Sequence, residues 1–305
     1  MKPVFMKRLA IFLFLCAVAA IAIYFEVQRY AHHSARSALD QFVETVPYVR
    51  QVAVGNMDVD IFGEGIRMTD VTVSVANASH PIHIHRVDVR SMDRNHPWPF
   101  WMHVEFHDIR FSPKQILQNS TLLHQLGYDA LSCRLEGVYR YEHASKTLVL
   151  ERFHFDIADA GSVTLSGRVG NIDLVELFSG RVDGAGIAGR LGGMLIEQGR
   201  LRYADASLFE RVLQYLARAS GLSTEAYRRR LVRNLSAALT ADAPDNVASV
   251  TAGLSAFVVQ PTQLVASVAP DRPVVLFWLL WHRNVEKLVD LLNLQVTTAP
   301  LPGTS

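Results

Sequence analysis

Two cysteines in 305 residues, Cys16 and Cys133, exclude a disulfide framework and a cysteine-based zinc site. An excess of one charge sign is missing as well. Thirty Lys and Arg stand against 29 Asp and Glu, a formal net charge of +1. A phosphate backbone is held by clustered surplus cation, so nucleic acid drops out as a partner. The chain has no Gly-x-Ser-x-Gly elbow and no phosphate-binding Gly-Lys-Ser/Thr loop. Gly184, Gly186 and Gly189 match a dinucleotide fingerprint by spacing alone, with no suitable strand before them. These absences leave no catalytic residue and no cofactor to name. Charged residues make up only 19% against 50% hydrophobic, which excludes a long disordered chain.

What is present begins with a hydrophobic run. Leu9 to Phe25 is seventeen residues without a charge, at the short end of the ~17–25 that cross a bilayer. Lys2, Lys7 and Arg8 precede it, and positive charge holds that end in the cytoplasm. The expectation is a single transmembrane anchor over residues 1–26, in a bacterial inner membrane, with the bulk of the chain in the periplasm. A cleaved signal peptide ending at Ala20-Ile21-Ala22 is the rival reading. Apolar Ile23, Tyr24 and Phe25 follow that site and argue against it. In an exported body the single thiol of Cys133 reads as a small buried hydrophobe.

Beyond the run, apolar residues three and four apart predict an amphipathic linker helix over 27–47, stopped by Pro47. Residues 48–204 change period. Alternation of apolar and polar residues in 51–55, 58–62, 69–75, 82–90 and 101–111 predicts short half-buried strands in an antiparallel meander. Further strands are expected at 132–141, 147–156, 162–169 and 194–203. Residues 205–299 read as mostly helical, with Gly221 as a stop and Ser223 as a cap, and strands at 263–268 and 295–298. Residues 300–305 form a tail. The fold class expected is therefore α+β: an N-terminal transmembrane helix, an antiparallel β-meander sheet and a helical C-terminal part.

Twelve histidines invite a metal reading. His83 and His85 share one face of a strand, and His103, Glu105 and His107 share another. Strand alternation places histidines on the wet face of a sheet for no special reason, so no metal site is expected. If the two sets met on adjacent strands, a metal-dependent hydrolase would be the reading they support. Arg228, Arg229 and Arg230 form a basic helical turn suited to anionic headgroups. Val274 to Trp281 is the most apolar stretch of the body, too short to span a bilayer. Phe277, Trp278 and Trp281 share a helical face there. A core helix is expected, with contact to lipid or a partner as the alternative.

The strand phrases from Val59 to Val73, Ile82 to Arg90 and Leu148 to Val169 resemble AsmA-like envelope proteins of Gram-negative bacteria and the YdgA-like group. Stretches within 201–211, 256–261 and 270–274 are similar to segments recurring in proteobacterial proteins of unknown function. The chain is much shorter than AsmA proteins, and the resemblance carries no catalytic residue across. It implies a non-catalytic protein of envelope maintenance, touching or transferring inner-membrane lipids. The basic turn and the apolar stretch make Phe277, Trp278, Trp281, Arg228, Arg229 and Arg230 the candidate lipid or partner contacts. A bitopic scaffold or adaptor, binding other envelope proteins in an assembly or secretion machine, is the alternative.

Overall fold

The computed structural model describes residues 49–59, 65–75, 80–93, 96, 99–112, 121–174, 176, 189–237, 245–281 and 285–298. The expected membrane crossing at 9–25, the linker helix at 27–47 and the tail at 300–305 lie outside them. Eleven antiparallel strands dominate the described residues. They fall into two compact units.

The first unit holds β1 (Val49–Val59), β2 (Ile66–Val75), β3 (Ile82–Met92), β4 (Trp101–Phe111) and most of β5 (Leu131–Glu142), paired in chain order. A short helix, α1 (Thr121–Gln125), precedes β5. The strands follow the period of two, but with a slip at one level. Val54, Val71, Ile84 and Ile109 pair in one transverse row, and Met57, Met68, Val87 and Phe106 in another. Between the rows each of the four strands carries two polar or small residues instead of one: Gly55-Asn56, Thr69-Asp70, His85-Arg86 and His107-Asp108. A one-residue shift would turn every later side chain to the opposite face. The extra residue, placed at the same level in four strands, keeps one face apolar on both sides of the slip. Asp70 and Asp108 absorb it with φ of 54° and 53°, a region Asp enters more readily than most residues. Gly55 lies beside Asp70, where a Cβ would sit 2.9 Å from the Asp70 Cβ. The slip ends at β5, where Arg134 alone separates Cys133 from Leu135 in the same two rows. The centre of the apolar face is buried, at Met68, Ile84, Val87, Phe106, Ile109 and Leu135, while Val54 and Met57 on β1 are half-buried. Cys133 is buried as well.

The second unit holds β6 (Thr147–Ile157), β7 (Gly161–Gly170), β8 (Leu195–Asp205), β9 (Gln263–Val268) and β11 (Gln295–Thr298), neighbours in that order, with the two-residue β10 (Val274–Val275) paired to β8. Its helices among the described residues include α2 (Leu208–Ala219), α3 (Thr224–Ala237), α4 (Asp245–Val259), α5 (Leu276–Trp281) and α6 (Val285–Leu291). Gly221, with φ of 65°, follows the end of α2. Ser223 Oγ accepts the Ala226 N–H at 3.2 Å and caps α3. Val247, Val250, Val289 and Val296 form a buried cluster with Leu254, Leu264, Ala266 and Leu294 packed against it. Gly253 lets α4 approach β11, because a Cβ there would lie 2.4 Å from the Val296 carbonyl oxygen.

The expected fold class needs correction. The described residues are mostly antiparallel sheet, and none of their helices is long and apolar enough to cross a membrane. The stretch 205–299 is no separate helical part. Val265 and Ala266 pair directly with Arg202 and Leu201, so β9 extends the sheet begun by β6–β8, and β11 extends β9. Apolar alternation in 263–268 demands a sheet partner, which β8 supplies.

Candidate functional site

Two surfaces stand out, one in each unit. The first lies on the polar side of β2–β5. Cross-strand pairing sets Arg67 against Asp88, Asp88 against Glu105, and Glu105 against Glu136 in a row, with Arg86 opposite His107 beside it. Arg67 Nε donates to Asp88 Oδ1 at 2.8 Å, and Arg90 Nε to Glu105 Oε1 at 3.1 Å. Arg134 reaches Glu105 Oε2 at 3.4 Å. His103 Nε2 stands 3.3 Å from Glu136 and 3.5 Å from Glu105. His107 Nε2 lies 3.1 Å from both Asp88 Oδ2 and Glu105 Oε2. Asp88 is only 3% exposed, and Glu105 is buried too.

Burial opposes ionisation of the Asp88 carboxyl, but the hydrogen bond from Arg67 and the charges of Arg86, Arg67 and Arg90 outweigh it and hold its pKa below the usual range. The same contest at Glu105 is won by Arg90, with His107 and His103 adding to it. Burial, then the Arg86 charge, pushes the His107 imidazole below its ordinary value despite Asp88 and Glu105. The imidazole is therefore neutral at neutral pH. Distance and direction disagree within this cluster. Asp88 Oδ2 has Arg86 Nε at 2.9 Å. Yet Arg86 Nε, Asp88 Oδ2, His107 Nε2 and His103 Nε2 are buried without any aligned hydrogen bond. Direction governs hydrogen-bond strength, so these atoms are in Coulombic contact but not satisfied.

Of the two histidine sets, one converges. The ligand atoms of Asp88, Glu105 and His107 all lie within 4.8 Å of one another. His83 stands on the other side of the slip and His85 within it, both exposed. They line a shallow depression of about 330 Å³ with Asp70, Thr72, Asp108 and Arg110. His83 Nδ1 lies 3.4 Å from Thr72 Oγ1, and His85 Nδ1 3.8 Å from Asp70 Oδ1. The sequence singled out Glu105 and His107 but not Asp88, whose role follows from its register opposite Glu105.

The second surface is a sheet face of the second unit. Phe153, Leu165, Leu201, Ala266 and Val296 pair in one row, and Phe155, Val163, Tyr203 and Leu264 in the next. Leu150, Gly167, Gly199 and Val268 make a third, whose two middle positions carry no side chain. Leu148, Val169, Ile196 and Val274 make a fourth. Thr298 on β11 extends the second row beyond Leu264, and side chains in the four rows are apolar apart from the hydroxyls of Tyr203 and Thr298. The helices cover one part of this face. Phe257 of α4 meets Tyr203 and Phe209 edge-on at centroid distances of 5.8 and 4.9 Å, and the valine cluster covers Leu264 and Ala266. The middle is open: Leu165 is 38% and Leu201 37% exposed.

The aromatic stretch departs from the core expectation. Val274 is buried on β8, but the helix that follows has only six residues, and Phe277 and Trp278 on it are each 52% exposed. Trp281 ends the helix, and its side chain lies outside the described residues. The three arginines separate. Arg228 is turned inward, donating to the Val258 and Val259 carbonyls at 2.6 and 3.2 Å and to Glu210 at 2.6 Å. It ties α3 to the end of α4 and to α2. Arg229 and Arg230 are exposed, as is Arg233 one turn on.

Residues 154–299, from within β6 through β11, match a family model described as "Uncharacterized protein". No curated protein matches the chain.

Proposed function

We propose that this chain is a non-catalytic protein of the bacterial envelope that contacts or transfers membrane lipid through the open sheet face of its second unit, at the periplasmic side of the inner membrane, in the manner of the AsmA-like proteins its strands resemble. The observation that carries the reading is the exposure of Leu165 and Leu201 on a face whose four rows are apolar apart from the hydroxyls of Tyr203 and Thr298. A soluble surface seldom leaves a contiguous apolar patch of that kind without a partner. An acyl chain fits it, because it offers apolar area and asks for no hydrogen bond. Exposed Arg229, Arg230 and Arg233 on α3 supply cations for an anionic headgroup. The exposed pair Phe277 and Trp278 favours a second reading, an adaptor that docks an envelope protein, since aromatics are enriched at protein interfaces.

The test is transfer of a fluorescent phosphatidylglycerol between donor and acceptor vesicles, with the purified full chain. The parent accelerates transfer, and a chain carrying both Leu165→Asn and Leu201→Asn falls back to the protein-free rate while keeping its circular dichroism. Equal acceleration by both chains contradicts the reading. Absence of transfer with capture of an envelope protein that depends on Phe277 and Trp278 supports the adaptor instead.

A further inference from the structure

The polar cluster of the first unit is arranged unlike a ladder of ion pairs. The two carboxylates point their outer oxygens, Asp88 Oδ1 and Glu105 Oε1, at Arg67 and Arg90. Their other oxygens, Asp88 Oδ2 and Glu105 Oε2, face a common point together with His107 Nε2, which is 3.1 Å from each. Asp88 is 3% exposed, and its Oδ2 and the His107 Nε2 make no aligned hydrogen bond. An orphaned buried oxygen and an orphaned buried nitrogen aimed at one place cost free energy unless something satisfies both. Donors held ~2.0–2.2 Å from one ion at right or tetrahedral angles stand roughly 2.8–3.6 Å apart, and His107 Nε2 stands at that spacing from each carboxylate oxygen.

We propose that Asp88, Glu105 and His107 form a binding site for a divalent transition cation. The donor set is two carboxylate oxygens and one imidazole nitrogen. It suits the borderline ions Mn²⁺, Fe²⁺, Co²⁺ and Zn²⁺. Magnesium and calcium prefer all-oxygen shells, and copper(I) prefers sulfur. Two strands supply the ligands: Glu105 and His107 project from one face of β4 at a spacing of two, and Asp88 stands opposite Glu105 on β3. Arg67 and Arg90 act on the outer oxygens as the second layer of partners that orients metal-binding carboxylates. Arg86 and Arg134 also lie near the inner oxygens and repel a cation. Arg86 and Arg134 are partly exposed, and their charges beside the inner oxygens make the site one of moderate affinity. It is independent of the apolar face in the second unit.

Titration of the chelator-stripped full chain with Co²⁺, followed by visible absorption and by elemental analysis after dialysis, tests the site. The expected result is saturable binding that loses one equivalent per chain in His107→Ala, or weakens by more than the ~10–100-fold typical of outer-layer partners. His107→Gln, which keeps the size of the side chain, should behave alike and guards against a folding defect in the alanine variant. His83→Ala and His85→Ala retain that equivalent. Three results overturn the proposal: no saturable binding by the parent, undiminished binding in both His107 variants, or loss of the same equivalent in His83→Ala. The first of these would leave the cluster an ordinary network of ion pairs.

Discussion

The strands of the first unit and those of the second obey the same alternation, yet bury their apolar faces to different depths. Phe106 and Val89 in the first are each 1% exposed, whereas Leu165 and Leu201 in the second are more than a third exposed. The polar sides differ too. In the first unit arginines close over buried Asp88 and Glu105. In the second, β8 leaves Arg200 and Arg202 exposed. Alternation therefore specifies which side chains share a face, while coverage of that face is decided by elements elsewhere in the chain.

The sharpest way to break this comparison is to truncate one residue of each face. Phe106→Ala should destabilise the chain by about 3–5 kcal/mol, the cost of deleting a buried aromatic. Leu201→Ala should cost less than about 1 kcal/mol, because so much of its side chain is already in water. Guanidinium unfolding followed by circular dichroism measures both. Equal losses would show that the second face is as closed as the first.

Gly253→Ala tests the part of the second face that is covered. The new Cβ would collide with the Val296 carbonyl oxygen, and overpacking of this kind costs roughly 1–3 kcal/mol. A neutral substitution would mean that α4 is not seated on β11 as described. Arg228→Ala removes charged hydrogen bonds to two carbonyls and to Glu210, a loss of about 1.5–3 kcal/mol in the same assay. Arg229→Ala should stay within about 0.5 kcal/mol. That pair separates a helix tie from a surface charge.

Much of this architecture was legible in the sequence. Period-two patterning found β4 and β9 at their observed bounds, and Gly221 and Ser223 marked the join between α2 and α3. The apolar slip is also written there, as Met68-Thr-Asp-Val71, Ile84-His-Arg-Val87 and Phe106-His-Asp-Ile109, but it becomes readable only when four strands are aligned. The convergence of His107 with Asp88 depends on cross-strand register, which no single strand contains. Trp278 was expected in the core because its whole segment is apolar. Only the pairing of Val274 to β8, and the shortness of the helix that follows, show why the tryptophan stays outside. Arg228 and Arg229 are neighbours in sequence and opposites in role, since adjacent helix positions point about 100° apart.

The polar side of the first unit predicts a pH response that the open apolar face does not. Asp88, Glu105 and His107 all have lowered pKa values in the fold. The unfolded chain then binds more protons than the folded one, so stability falls as pH falls. The loss should begin below about pH 6.5 through His107 and continue below about pH 4 through the carboxylates. Asp88→Asn should flatten the acid limb of a plot of the urea midpoint against pH, and Leu201→Ala should leave its shape alone. An unaltered limb in Asp88→Asn would remove this cluster as its source.

In the proposed function, acyl chains meet the open face at Leu201. A photoreactive benzoylphenylalanine in place of Leu201, in the full chain mixed with vesicles of phosphatidylethanolamine and phosphatidylglycerol, reports that contact directly after irradiation and mass spectrometry. The same probe in place of Arg202, whose side chain points from the other face of β8, serves as the reference. A phospholipid adduct at position 201 and none at 202 is the predicted result. No lipid adduct at 201, or equal adducts at both positions, would contradict it.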